Sequence, residues 1–226
     1  MKLTICTFTG VDDAVDPVSL VAIEKAYPFV EWGVAYNPAY AGKPRYPTLS
    51  WIKTFLRASP LGAKALHASG AGLTEFCSGH PQIMQLLENF PRMQMNFDAA
   101  CEENEISMMA AKARAETQKH FIFPYNEETK KFLPRFERKN ISVLFDASCG
   151  QGKSPSHWSP PLAGYFCGYA GGISQANIVA TLDALTKIVP SNEPIWIDME
   201  SGVRTDNQFD LNKVVAILDV LKARFF

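Results

Sequence analysis

Short apolar runs alternate with longer stretches whose apolar residues recur at helical spacing, from one end of the chain to the other. The runs fall at 2–8, 29–36, 64–68, 93–96, 119–123, 141–146, 164–169 and 194–199. Segments that can form helices follow them at 17–27, 48–58, 72–88 with a break at Pro81, 101–117, 126–137, weakly near 158–162, then 174–188 and 210–224. Strands that alternate with helices pair in parallel through right-handed crossovers. Eight such units in 226 residues predict a (β/α)8 TIM barrel, with a doubly wound open sheet as the competing layout. No linker or shift in composition divides the chain, so one domain over residues 1–226 is expected.

Alternation within the runs sorts residues between the barrel interior and the helix layer, because successive strand side chains face opposite sides. In the first run Lys2, Thr4 and Cys6 oppose Leu3 and Ile5, which places Cys6 inward. In the sixth, Ser142, Leu144 and Asp146 oppose Ile141, Val143 and Phe145; in the eighth, Trp196, Asp198 and Glu200 oppose Ile195 and Ile197. Gln94 and Asn96 likewise oppose Met93 and Met95. Several of these polar residues close their strands, at the end where barrel enzymes place their chemistry. The long, proline-containing loops 37–47 and 146–161 leave the same end.

Composition narrows the field. Twenty-two basic against 23 acidic residues give a net charge of −1 with no basic cluster, which argues against a nucleic-acid partner. No apolar stretch approaches the ~20 residues that span a bilayer. The five cysteines are odd in number and include no Cys-x-x-Cys pair, so neither a disulfide framework nor a zinc site is indicated, and the four histidines show no metal-ligand spacing. A cytoplasmic monomer or homodimer, using neither metal nor cofactor, is the expectation.

Candidate chemistry gathers at the strand ends. Gly171 and Gly172 join the seventh run to a helix that Ser174 is expected to cap, an arrangement that can turn backbone N–H groups toward an anion. Ser201 and Gly202 after the eighth run can add donors, and phosphate sites in barrels often use the loops after strands seven and eight. Cys6 and Asp146 offer a candidate general base and general acid on opposite sides of one cavity. Arg45, between Pro44 and Pro47, can hold a carboxylate in bidentate fashion. Ala147–Ser154 also satisfies a relaxed nucleotide-binding pattern, but Pro155, Pro160 and Pro161 oppose the helix that such a loop must open.

Six short pieces in register resemble one known family, phosphoribosylanthranilate isomerase. They are Thr4-Ile5-Cys6-Thr7-Phe8-Thr9, Pro44-Arg45-Tyr46, Met93-Gln94-Met95-Asn96, Leu144-Phe145-Asp146 with Gly150-Gln151-Gly152-Lys153, Ala170-Gly171-Gly172-Ile173, and Asp198-Met199-Glu200-Ser201-Gly202-Val203. The resemblance implies a single β/α barrel of tryptophan biosynthesis that converts an aminated aldose phosphate to the ketose by an Amadori rearrangement. It implies Cys6 as base, Asp146 as acid, Arg45 on the aromatic carboxylate, and Gly171, Gly172, Ser201 and Gly202 around the phosphate of a small sugar phosphate. Thr7, Asn96, Glu200 and Ser156-His157-Trp158 depart from the family pattern, and Glu200 would repel a phosphate unless turned away or paired. Two alternatives stand beside this reading: a barrel that binds a phosphorylated ligand without turning it over, and a nucleotide hydrolase.

Overall fold

All eight apolar runs form strands that pair in parallel and close into a barrel in chain order. The computed structural model describes residues 1–98, 100–146 and 152–226. The strands are β1 (Lys2–Thr9), β2 (Val30–Tyr36), β3 (Ala63–Ser69), β4 (Arg92–Asn96), β5 (His120–Tyr125), β6 (Ile141–Asp146), β7 (Phe166–Ala170) and β8 (Pro194–Met199). Around them lie α1 (Pro17–Ala26), α2 (Leu49–Ala58), α3 (Ala71–Ser78), α4 (Pro81–Leu87), α5 (Glu103–Ala115), α6 (Ile178–Ile188) and α7 (Leu211–Phe225). No helix among the described residues is long and apolar enough to cross a membrane.

Local chemistry explains the helix ends. Asp16, Thr48 and Asp210 accept from first-turn N–H groups of α1, α2 and α7, and Pro17 occupies the first position of α1, where no N–H is needed. Gly79, in the left-handed region at φ 70°, ends α3 and separates it from α4, so the expected break at Pro81 is real. Two expected helices are not formed. Over 126–137 the chain makes only a 3-10 turn, Lys130–Arg135, because Pro134 lacks an N–H and its ring would crowd the carbonyl four residues back. No helix occurs within residues 152–165, where Pro155, Pro160 and Pro161 act in the same way. The nucleotide pattern at Ala147–Ser154 therefore opens no helix after Ser154; its residues 147–151 lie outside the described part.

Two apolar layers result. The larger packs outward strand residues such as Phe8, Trp32, Val34, Met93, Phe121, Tyr169 and Ile197 against the helices. The smaller is the barrel's own filling, Ala65, Ile122, Leu144 and Trp196, with Ile5, Phe166 and Ala170 against it. Trp196 fits because β7 offers Gly168 opposite it: a Cβ there would lie 2.1 Å from the Trp196 Cε2. Within the same interior, buried Arg92 pairs with Glu31 at 2.7 Å, Glu31 accepts from Thr7, and the guanidinium lies 4.4 Å from the Trp196 ring centre.

The first strand corrects the expected parity. Leu3 pairs with Ile195, but Ile5 pairs with Trp196, so one extra residue, Thr4, bulges between them. Beyond it Ile5, Thr7 and Thr9 share the inward phase of Trp196 and Asp198, while Cys6 and Phe8 share the outward phase of Ile197 and Met199. Cys6 thus lies, fully buried, in the layer between barrel and helices. The expectation that it faces the interior does not hold, because a single inserted residue reverses the side of everything after it.

Candidate active site

The C-terminal ends of the strands surround a cavity of about 920 Å³. Asp146, Arg45, Gly171, Gly172, Ser201 and Gly202, six of the seven residues singled out from the sequence, line it. Cys6 does not. Burial first, then the nearby Asp198 and Glu31 carboxyls, push its thiol well above the ordinary range.

Beneath the mouth, a polar cluster converges from four strands. Asp198 on β8 accepts from the Thr9 hydroxyl at 2.9 Å, and the Thr9 oxygen stands 3.4 Å from Nδ1 of His67 on β3. Gly33 makes this reach across β2 possible, since a Cβ there would lie 2.2 Å from the Thr9 hydroxyl oxygen. Gln94 on β4 gives its amide to Asn96. Burial chiefly, with Glu200 and Glu31 adding to it, raises the Asp198 carboxyl to about 8 against the pull of Thr9 and Arg92. Burial, assisted by Arg92, lowers His67 to about 3. At neutral pH both are uncharged, the proton sitting on the carboxyl. The sequence placed Asp198, Gln94 and Asn96 inward; His67 was missed, although it lies two residues after Ala65 in the same strand and so shares its inward face.

The rim is built from touching loops. Gly171 and Gly172 have φ of 114° and 61°, and the chain at Lys153 and Ser154 runs so close that Cβ atoms would lie 2.9 Å from the Lys153 carbonyl oxygen and 2.5 Å from the Ser154 nitrogen. Their lack of side chains serves loop packing as well as the turn itself. A Cβ on Gly202 would lie 1.9 Å from the Ile173 carbonyl oxygen, so the loops after β7 and β8 are in direct contact. Asp146 belongs to the same corner: a Cβ on Gly171 would lie 3.8 Å from its Oδ1. Ser174 does not cap the following helix. The cap position is Asn177, whose Oδ1 accepts from the Ser174 N–H at 2.8 Å and whose Nδ2 donates to the Gly172 carbonyl at 2.8 Å, so the helix starts well beyond the glycine pair.

Arg45 is held in a left-handed conformation, φ 79°, its N–H donating to Asp12 at 2.9 Å. Asp12 is fixed in turn by the buried Arg204, which also donates to the Gly10 carbonyl. The Arg45 guanidinium pairs with Glu200 and donates to the Ser201 hydroxyl at 3.2 Å. Glu200 is therefore paired, and its charge beside the glycine loops is offset by Arg45. Among the described residues no group of His, Cys, Asp and Glu is arranged to hold a metal ion.

Fold and cavity define a (β/α)8 TIM barrel with a polar, partly charged mouth. No family model matches the sequence, and no curated protein matches it significantly. Among solved structures it is similar to N-(5'-phosphoribosyl)anthranilate isomerase from Pyrococcus furiosus, with a TM-score of 0.61, 12% identity, and coverage of 97% of this chain and 99% of that one. It is similar also to monomers of phosphoribosylanthranilate isomerase from Thermotoga maritima, at 0.59 and 11%, covering 99% and 100%. A truncated 3-deoxy-D-arabino-heptulosonate 7-phosphate synthase from Thermotoga maritima follows at 0.58 and 9%, covering 98% and 86%. At such identities the likeness shows a shared fold alone.

Proposed function

We propose that the protein is an acid–base isomerase of a phosphorylated, N-substituted aldose, with phosphoribosylanthranilate as the model substrate. The observation that carries this reading is the meeting of two inward carboxyls, Asp146 and Asp198, with Arg45 and the contacting β7 and β8 loops around one cavity. Gly171, Gly172, Ser201 and Gly202 surround the phosphate, and Arg45, exchanging Glu200 for the ligand, binds the aromatic carboxylate. Asp198, protonated below about pH 8, gives its proton to the ring oxygen as the ring opens to an imine. Asp146, at the half-buried rim, removes the proton from C2, and the resulting enolamine settles to the ketone. Asp198 thus takes the acid role that the sequence assigned to Asp146, and Asp146 the base role assigned to Cys6. Acid and base chemistry suffices for this conversion.

The decrease in anthranilate fluorescence on mixing with freshly made phosphoribosylanthranilate tests the reading. Turnover that Asp146→Asn lowers by ~10²–10⁴-fold supports it. Cys6→Ala should retain turnover within about twofold and lose only ~1 kcal/mol of stability in urea unfolding, since it trims one buried atom facing the helix layer. A large loss of turnover in that variant would contradict the outward placement. The position of Cys6 also favours the second reading, a barrel that binds a phosphorylated ligand without turnover, and saturable binding with no turnover would select it.

A further inference from the structure

Arg45 occupies a backbone position that seldom carries an arginine. The Tyr46 N–H donates to the Lys43 carbonyl at 2.9 Å, Pro44 fills the second position of that turn, and Arg45 fills the third at φ 79°. Proline followed by a positive φ makes this a type II turn, whose third position favours Gly or Asn because a Cβ there is strained. Such strain persists only where the surroundings hold it, and it gathers at functional sites.

Two neighbouring loops supply the hold. In the loop after β1, one carboxylate oxygen of Asp12, Oδ2, accepts both from the Arg45 N–H and from Arg204 Nη2, each at 2.9 Å. The next residue, Asp13, accepts from the Thr48 N–H at 2.7 Å and from the Thr48 hydroxyl, so the chain is gripped on both sides of Tyr46 and Pro47. Arg204, in the loop after β8, has a side chain only 3% exposed and donates also to the Gly10 carbonyl at 2.6 Å and the Asn207 carbonyl at 3.1 Å. The loops meet at Gly10, where a Cβ would lie 3.2 Å from the Glu200 Cγ, 3.4 Å from Arg204 Nη1 and 3.6 Å from the Arg45 Cβ. Buried ion pairs are weak support for a fold, because desolvation offsets much of their attraction. What this one ties down is the Arg45 turn, and the Arg45 guanidinium, 29% exposed, lines the cavity with a carboxylate, that of Glu200, already seated on it.

We infer that Asp12 and Arg204 are positioning residues: they hold the strained Arg45 turn and thereby set the affinity of its guanidinium for a ligand carboxylate. Neither lines the cavity, so both act through Arg45. That role rests on the proposed function in one point, Arg45 taking the ligand's carboxylate in place of Glu200. Its consequence is selective: a ligand without a carboxylate is insensitive to the pair.

The test measures calorimetric Kd values for two probes: N-(5-phospho-D-ribityl)anthranilate, an open-chain amine that cannot isomerise, and its aniline counterpart, which lacks the carboxyl. The parent should bind the carboxylated probe about tenfold more tightly than the other. The double variant Asp12→Asn/Arg204→Met removes both charges and so leaves neither buried alone. In it the preference should fall to within about twofold, while the Kd for the aniline probe stays within about twofold of the parent's. Arg204→Lys keeps the charge but loses the planar fork that reaches Asp12, Gly10 and Asn207 together, and it should lose most of the preference too. That variant carries the test if the double one does not fold. A preference that survives in the folded variants, or an equal weakening of both probes, overturns the positioning role and leaves the Arg45 carboxylate contact standing. No preference in the parent, or no binding of either probe, removes that contact from the proposed function, and the positioning role falls with it. Failure of both variants to fold makes the pair a requirement of the fold and overturns its assignment to the site.

Discussion

Replacing Asp198 by Asn is expected to slow turnover by ~10²–10⁴-fold and to make the protein more stable than its parent at high pH. The two effects share one cause. In the folded state the carboxyl keeps its proton up to about pH 8, whereas in the unfolded chain it ionises near ~3.9. Between those values the folded state binds more protons, so its stability falls as pH rises. Asn keeps the acceptor for Thr9 and never ionises. The advantage of the variant should widen from about pH 4 to about pH 8, toward a few kcal/mol. His67 works in the opposite window: with its folded pKa lowered to about 3, stability is lost as pH falls from ~6.5 toward 3. In the parent the two slopes cancel between about pH 4 and 6.5, leaving losses above and below. Urea unfolding of both proteins from pH 4 to 9 checks this, and a gap that stays constant across the series would refute it. Parent activity should decline as pH rises through about 8, when the acid is spent.

Gly168→Ala should cost ~3 kcal/mol or more, or prevent folding outright. The added methyl would fall 2.1 Å from one ring atom of Trp196 and 2.4 Å from another. That indole is fully buried, with the Phe166 ring at 4.7 Å and the Arg92 guanidinium at 4.4 Å, so it has no room to retreat. Any movement of Trp196 would also disturb Asp198, two residues on. Equilibrium unfolding within about 0.5 kcal/mol of the parent would show that the barrel interior is looser than the structure indicates.

Much of this molecule was legible in the residues. Runs of strand length alternating with helical patterns demanded parallel pairing, and eight of them leave a closed barrel as the natural solution. Prolines marked where helices stop, and Pro134 stops the one expected over 126–137 as well. Single-residue parity located Asp146, Gln94, Asn96 and Asp198 on the cavity side because β4, β6 and β8 carry no bulge in the described register.

The failure at Cys6 shows the limit of that method. Leu3 stands in one phase and Cys6 and Phe8 in the other, so an apolar outward face holds Leu3 together with Phe8 only if the strand inserts a residue between them. The clue lay in Phe8, and only the pairing of β1 with β8 decided where the insertion falls. Ser174 has the same lesson on a smaller scale: a capping residue type stood before an apolar pattern, but the helix starts only after Asn177, whose side chain is taken up by Ser174 and Gly172 and caps no helix N–H.

By itself, then, the sequence determined which segments are strands, most of the helices, and which strand ends carry polar groups, because those follow from spacing and local sterics. Tertiary structure alone decided the charge state of Asp198 and His67, the pairing of Arg45 with Glu200, and the reach of Thr9 across Gly33 to His67. Those depend on desolvation and on distances between residues far apart in the chain, and periodicity contains neither.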